Sequence, residues 1–339
     1  MLKLILKSNL ILVMKNKLFI SITLLFLITF NESDANDLKQ FYQCENYHSI
    51  NIEKIATGHD VVAVTLNGVN SRFIIDTGAK ATVIDDRLLS KYNIDRSTIL
   101  EKEEAAGAAG KILIKKYPLE RLEISSYNIQ IPTIYSTDLS QVINGLGFTT
   151  GVWVDGIIGQ DVLLAHSGII DSFNKQLLIQ PDTSSFNNCE KTSILRSIFE
   201  NKGYQAIALN VLSTNLATFT VNINDEKGEF ILDSGAGTGI LNQNSLSKFH
   251  LNENNIISSR QSAGAGGAIT LQIVNIDSLK INSTNYDIAT ISSLDLSAVI
   301  KEVKTRSEAV IHGVIGQDLL QKYQAIISFH DNTLYLKSD

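Results

Sequence analysis

The chain has 339 residues, 44% of them hydrophobic and 19% charged, with a formal net charge of −6 at pH 7. That is enough apolar material for two cored lobes and excludes a disordered chain. The acidic balance and the lack of basic runs in the body argue against nucleic acid as the main partner.

From the N-terminus, Lys15 and Lys17 precede an apolar run from Leu18 to Phe30, followed by a polar stretch ending Ser33-Asp34-Ala35. This is the order of a secretory signal, so residues 1–35 are expected to be a signal peptide cleaved after Ala35, with Met14 as a natural start. A retained anchor is the alternative, and the apolar run is short against the roughly 20 residues of a spanning helix. The mature chain is therefore expected to be exported, periplasmic or secreted. The only two cysteines, Cys44 and Cys189, are candidates for a disulfide between the N-terminal arm and an inter-lobe linker; two free thiols are the alternative. The arm from Asn36 to about Thr57 is short for a self-blocking pro-segment.

The body reads as β-rich. Val61 to Leu66 alternates, Asn67-Gly68 offers a tight turn, and Arg72 to Ile75 leads into Asp76. Short helix candidates start at Asp85 and at Asp161, and a strand pair turns at Asn174-Lys175. Pro181 to Asn188 is a polar linker, dividing lobes at 36–185 and 186–339. Beyond it the order repeats: Phe219 to Ile223, a turn at Asn224 to Gly228, Glu229 to Leu232 leading into Asp233, helix candidates from Asn242 and Asp318, and a closing turn at Asp331-Asn332. The insertion-like stretch Asn144 to Trp153 is Gly-rich and aromatic, while its counterpart Lys301 to Ala309 is charged. That asymmetry would give the two ends of a cleft different side-chain preferences; two unrelated surface loops are the alternative.

The repeat keeps one spacing. Phe73-Ile-Ile-Asp76-Thr77-Gly78-Ala79 returns 157 residues on as Phe230-Ile-Leu-Asp233-Ser234-Gly235-Ala236, and Gly156-Ile-Ile-Gly159-Gln-Asp161 returns as Gly313-Val-Ile-Gly316-Gln-Asp318. Gly/Ala-rich runs recur too, with Gly107 and Gly110 in the first half and Gly264 and Gly266 in the second, each at a candidate flexible hairpin tip. Two copies of one lobe could set Asp76 and Asp233 facing each other, sharing a proton and activating water. The histidines show no metal-site spacing, and neither His-Glu-x-x-His nor Gly-x-Ser-x-Gly occurs. No metal and no cofactor is expected.

These motifs resemble the aspartic peptidase superfamily: retropepsin-like lobes, two of them in one chain as in the pepsin arrangement. The resemblance implies an all-β, bilobal acid-protease fold with two β-barrel-like lobes related by a pseudo-twofold axis. It implies a monomeric endopeptidase acting on peptide or unfolded protein. Asp76 and Asp233 match the catalytic pair; Thr77, Gly78, Ser234 and Gly235 match the residues supporting it. Gly107, Gly110, Gly264 and Gly266 fall on the flaps that bind substrate, and Gly159 and Gly316 on a crossing chain behind each Asp loop. The chain departs from the pattern at Lys80 and Gly237 and at Gln160 and Gln317, where retropepsins often carry an ion pair. Support from amide hydrogen bonds is expected there instead. Asp155 and His312 are expected at a cleft edge or the surface. The alternative reading is a non-catalytic peptide-binding protein on the same scaffold.

Overall fold

The computed structural model describes residues 37–180 and 194–337. The expected signal peptide, the linker at Pro181 to Asn188 with the lobe boundary inside it, and Cys189 lie outside the described residues. Among the described residues the architecture is bilobal and all-β with short helices, and no helix is long and apolar enough to cross a membrane.

Each lobe starts from a hairpin that ends in the Asp motif. In the first, strands Asp60–Leu66 and Val69–Ile75 pair antiparallel with Val62 opposite Phe73, turning through positive φ at Asn67 and Gly68. Inward alternation buries Val62, Val64, Leu66, Phe73 and Ile75, each worth about 1.5–3 kcal/mol over exposure. Strand Gly156–Ile158 then lies parallel to the second arm, so the backbone N–H of Asp76 donates to the Ile158 carbonyl at 3.0 Å. The second lobe repeats this with Ala217–Ile223, Glu226–Leu232 and Ile311–Ile315, and the Asp233 N–H donates to the Ile315 carbonyl at 3.0 Å. Its turn is tighter than the sequence suggests. Only Asn224 and Asp225 form it, and Gly228 lies within the strand, where a side chain would overlap the Phe249 ring.

The lobes join through a sheet that takes His48–Lys54, Gln176–Ile179 and Ile169–Asp171 from one half and Ile326–Ser328, Thr333–Lys337 and Tyr204–Ala208 from the other. At its centre Ile170 pairs antiparallel with Ile327, its own counterpart 157 residues on. Two copies of one residue can touch in this way only at a twofold axis, so the axis passes between them. The outer face of this sheet is covered by Phe41, Tyr47, Leu195 and Phe199, packed on Ile169, Ile326 and Tyr335. The N-terminal arm is thus part of the fold, with Cys44 held in a disulfide.

Two expectations need correction. The stretches from Asn144 and from Lys301 are not loops throughout: residues 144–150 complete helix Ser140–Thr150 and residues 301–304 complete helix Ser297–Lys304, with irregular chain only after them. Gly145 and Gly147 lower the helix propensity of the first, but the Trp153 ring packs where a Gly147 side chain would stand. The helix candidates from Asp85 and Asn242 form as 3-10 turns, Asp86–Tyr92 and Gln243–Phe249.

Candidate active site

Asp76 and Asp233 leave their strands at the ends of parallel pairings, which frees the second and third N–H groups after each Asp. Those of Gly78 and Ala79 donate to Asp76 Oδ1 at 2.8 and 3.1 Å, and those of Gly235 and Ala236 to Asp233 Oδ1 at 2.8 and 3.0 Å. The two carboxyls are hydrogen-bonded to each other. Gly78 and Gly235 are required by this approach, because a Cβ on Gly78 would overlap the Asp233 carboxyl and one on Gly235 the Asp76 carboxyl.

Thr77 and Ser234 lock the loops together. The Thr77 hydroxyl accepts from the Ser234 N–H at 2.9 Å and donates to the Leu232 carbonyl at 2.9 Å; the Ser234 hydroxyl accepts from the Thr77 N–H at 3.0 Å and donates to the Ile75 carbonyl at 2.8 Å. All four bonds are buried and cross between lobes. Behind them Gln160 Nε2 donates to the Thr77 carbonyl and Gln317 Nε2 to the Ser234 carbonyl, each at 2.8 Å. Amides therefore provide the support at these two positions. Asp161 and Asp318 complete the motif by accepting from the Thr82 and Gly239 N–H groups, at 2.9 Å each. Gly159 and Gly316 let this chain cross against Ala81 and against Ala236 and Thr238.

The Gly/Ala-rich runs are the tips of hairpins Glu101–Gly107 with Gly110–Pro118 and Ile256–Gly264 with Gly267–Asn275. Gly110 and Gly266 take positive φ in the turns. The tips meet: the Ala109 N–H donates to the Ala265 carbonyl at 3.0 Å, Gly107 lies against Ala265, and Gly264 against Ala108. Each hairpin is flanked by the other lobe's helix, Ser140–Thr150 on the second and Ser297–Lys304 on the first. From the latter, Glu302 accepts from the Ala106 N–H at 2.5 Å and pairs with Lys80 beside the first Asp loop. A cavity of about 290 Å³ lies between the first tip and the second lobe, lined by Ala108, Ile269, Leu294, Ala298 and Val299.

Burial raises the pKa of both carboxyls. For Asp76 the hydrogen bond from Asp233, the Gly78 N–H and the charge of His59 pull the other way. For Asp233 the negative charge of Asp76 adds to burial, placing it well above the usual carboxylate range. One carboxylate and one carboxylic acid is the arrangement two such close groups favour.

A family model described as aspartyl protease matches residues 62–162 and again 219–319, together more than half of the chain. The chain belongs to the aspartyl protease family. Among solved structures, the protease is similar to a retropepsin-like aspartic protease from Rickettsia conorii, at 18% identity over 39% of this chain and 90% of that one, with a TM-score of 0.29. It is also similar to an aspartic proteinase from Irpex lacteus, at 13% identity over 86% of this chain and 97% of that one, with a TM-score of 0.47. A search of curated proteins gave no match.

The protease holds its remaining candidates away from the dyad. Asp155 binds Ser71, Lys91 and Tyr92 within the first lobe. His312 sits in a strand, accepts from the Glu229 N–H at 3.2 Å and packs edge-on to Phe249. Sequence reasoning missed His59, which is 8% exposed and reaches across to the Asp233 loop. It also missed Glu302. The one available signal for His59 was a break in the repeat, since Leu216 stands at its counterpart position.

Proposed function

We propose that this protease is an endopeptidase that hydrolyses peptide bonds through a water activated by Asp76 and Asp233. The observation that carries this reading is the pair of carboxyls hydrogen-bonded to each other and held by matched N–H groups, with both pKa values raised. The ionised carboxylate takes a proton from water, and the hydroxide so formed attacks the scissile carbonyl carbon. The protonated partner donates its proton to the carbonyl oxygen, giving a neutral gem-diol. Transfer of a proton to the amide nitrogen then lets the C–N bond break, leaving a carboxyl and an amine.

An extended peptide fits the flaps, because hairpin backbone offers N–H and C=O groups to a strand and alternate side chains enter subsites. The cavity beside the first tip, where Asp295 joins Ile269, Leu294 and Val299, has room for a substrate side chain. The Cys44 disulfide supports an exported enzyme, periplasmic or secreted. Amide support behind both loops favours the enzyme over a binding protein that has lost its chemistry.

The test is cleavage of an unfolded protein between pH 3 and 7 by the full chain and by Asp76→Asn and Asp233→Asn. Each variant should lose at least about 10³-fold in kcat while keeping its fold. Wild-type turnover in both variants would refute the assignment.

A further inference from the structure

The two lobes are near copies around the dyad, so any polar group that reaches it from only one side sets which carboxyl does what. The turn Ile55 to His59, between the antiparallel strands His48–Lys54 and Asp60–Leu66 of the first lobe, supplies such a group. The turn is closed by the Gly58 N–H donating to Ile55 at 2.8 Å and the Ile55 N–H donating to His59 at 3.1 Å. From it His59 Nε2 lies 2.9 Å from the Gly235 carbonyl, and Nδ1 lies 2.8 Å from the Thr57 hydroxyl. A carbonyl only accepts, so Nε2 carries the hydrogen, and Nδ1 of the neutral ring accepts from Thr57.

A second route runs beside the first. Gly58 has φ +88° and leaves room for Gln321, whose side chain covers it. Gln321 Nε2 in turn reaches Gln317 Oε1 at 3.5 Å, and Gln317 holds the Ser234 carbonyl. The first lobe thus holds the Gly235 carbonyl directly and, through Gly58, abuts the second lobe's Gln321 beside the Gln317 that holds the Ser234 carbonyl. At the counterpart positions the second lobe carries Asn215 for Gly58, Leu216 for His59 and, on the first lobe's helix, Leu164 for Gln321. Leu216 is buried and apolar, so the Asp76 loop receives no matching imidazole.

We propose that His59 is a positioning residue of the dyad: by fixing the Gly235 carbonyl and setting its imidazole on the Asp76 side, it makes Asp76 the general base and Asp233 the proton donor. The assignment rests on the dyad reading above. Burial lowers the His59 pKa, while the Gly235 carbonyl and the Asp76 charge favour the imidazolium. The groups facing His59 among the described residues are Thr57 from its own turn, the Gly235 carbonyl from the Asp233 loop, and Asp76. The neighbouring Asp60 turns away to Ser172 and the Lys54 cluster. As pH falls, an imidazolium would stabilise the Asp76 carboxylate and keep the dyad singly ionised to lower pH.

Two variants of the full chain test this: His59→Leu, the residue of the other lobe, and His59→Gln, which retains a donor for Gly235. His59→Leu should lower kcat on unfolded protein about tenfold with KM within about twofold, and His59→Gln should restore most of kcat. In both, the acid limb of kcat/KM should move to higher pH. Wild-type kcat and acid limb in His59→Leu would overturn the proposal. A readout independent of turnover is the His59 titration by ¹⁵N NMR. Its midpoint should fall in Asp76→Asn and stay in place in Asp233→Asn; an unchanged midpoint in Asp76→Asn also overturns the proposal. Peptide cleavage surviving in both Asp variants would instead sink the dyad reading, separately from the His59–Asp76 pairing that the titration reports.

Discussion

Asp60 is 1% exposed, and burial pushes its carboxyl up to about 6, with the Ser172 hydrogen bond and Lys54 opposing and Asp171 reinforcing. The ordinary value is 3.8, so between about pH 4 and 6 the folded chain binds more protons here than the unfolded one. Stability from this group is therefore complete at low pH and lost as pH rises through its folded pKa, by about 3 kcal/mol in all. Asp60→Asn should flatten the fall in unfolding free energy between pH 4 and 7, measured by urea titration, and an unchanged slope would contradict the assignment. Asp76 and Asp233 are raised as well and add to the same trend. At this scale the Asp76 and Asp233 triplets were legible because an Asp at a strand end before Gly is a pattern with a mechanism. His59 was not, since its role depends on a carbonyl 176 residues away that no local rule connects to it.

Among the elements, strands and hairpins were readable from alternation and turn residues, while helices Ser140–Thr150 and Ser297–Lys304 were not. They bury Ile143 and Leu146 against Ile55, Val61 and Ile74, and Val303 in a cluster with Ile231 and Ile311, tertiary packing on their own lobes that periodicity alone cannot show. The second helix also restrains the first flap through Glu302, which binds Lys80 and the Ala106 N–H. A partly exposed ion pair contributes at most about 1 kcal/mol, and a charge-assisted bond to backbone adds about 1.5–3. Glu302→Ala should therefore speed amide exchange across residues 101–118 roughly fivefold or more, by mass spectrometry, and leave residues 256–275 unchanged. Equal exchange in both hairpins would show that Glu302 does not hold the first flap.

For the whole molecule, residues 157 apart touch one another at Ile170 with Ile327, Thr77 with Ser234 and Asp76 with Asp233, and the hairpin tips meet within one residue of that spacing, Ala109 on Ala265. A single axis therefore runs through the joining sheet, the hydroxyl lock, the dyad and the flaps. The repeat spacing made the lobes legible; the crossing contacts that turn two lobes into one site needed the structure. Because the hydroxyl lock is shared, its members should be strongly coupled. Thr77→Val and Ser234→Ala should each destabilise by about 1–3 kcal/mol, with the double variant falling short of the sum by about 1 kcal/mol or more. Strict additivity in denaturant unfolding would mean that the two hydroxyls act independently.

Gly78 and Gly235 give the duplication an unusual character. Each lobe leaves empty the space that the other lobe's acid occupies, so Gly78→Ala would displace Asp233 and leave Asp76 in its own loop. A second copy of a motif ordinarily supplies a spare, free to change while the first is kept. Here damage to either copy is felt in its partner, and the chain has two Asp loops but no redundancy.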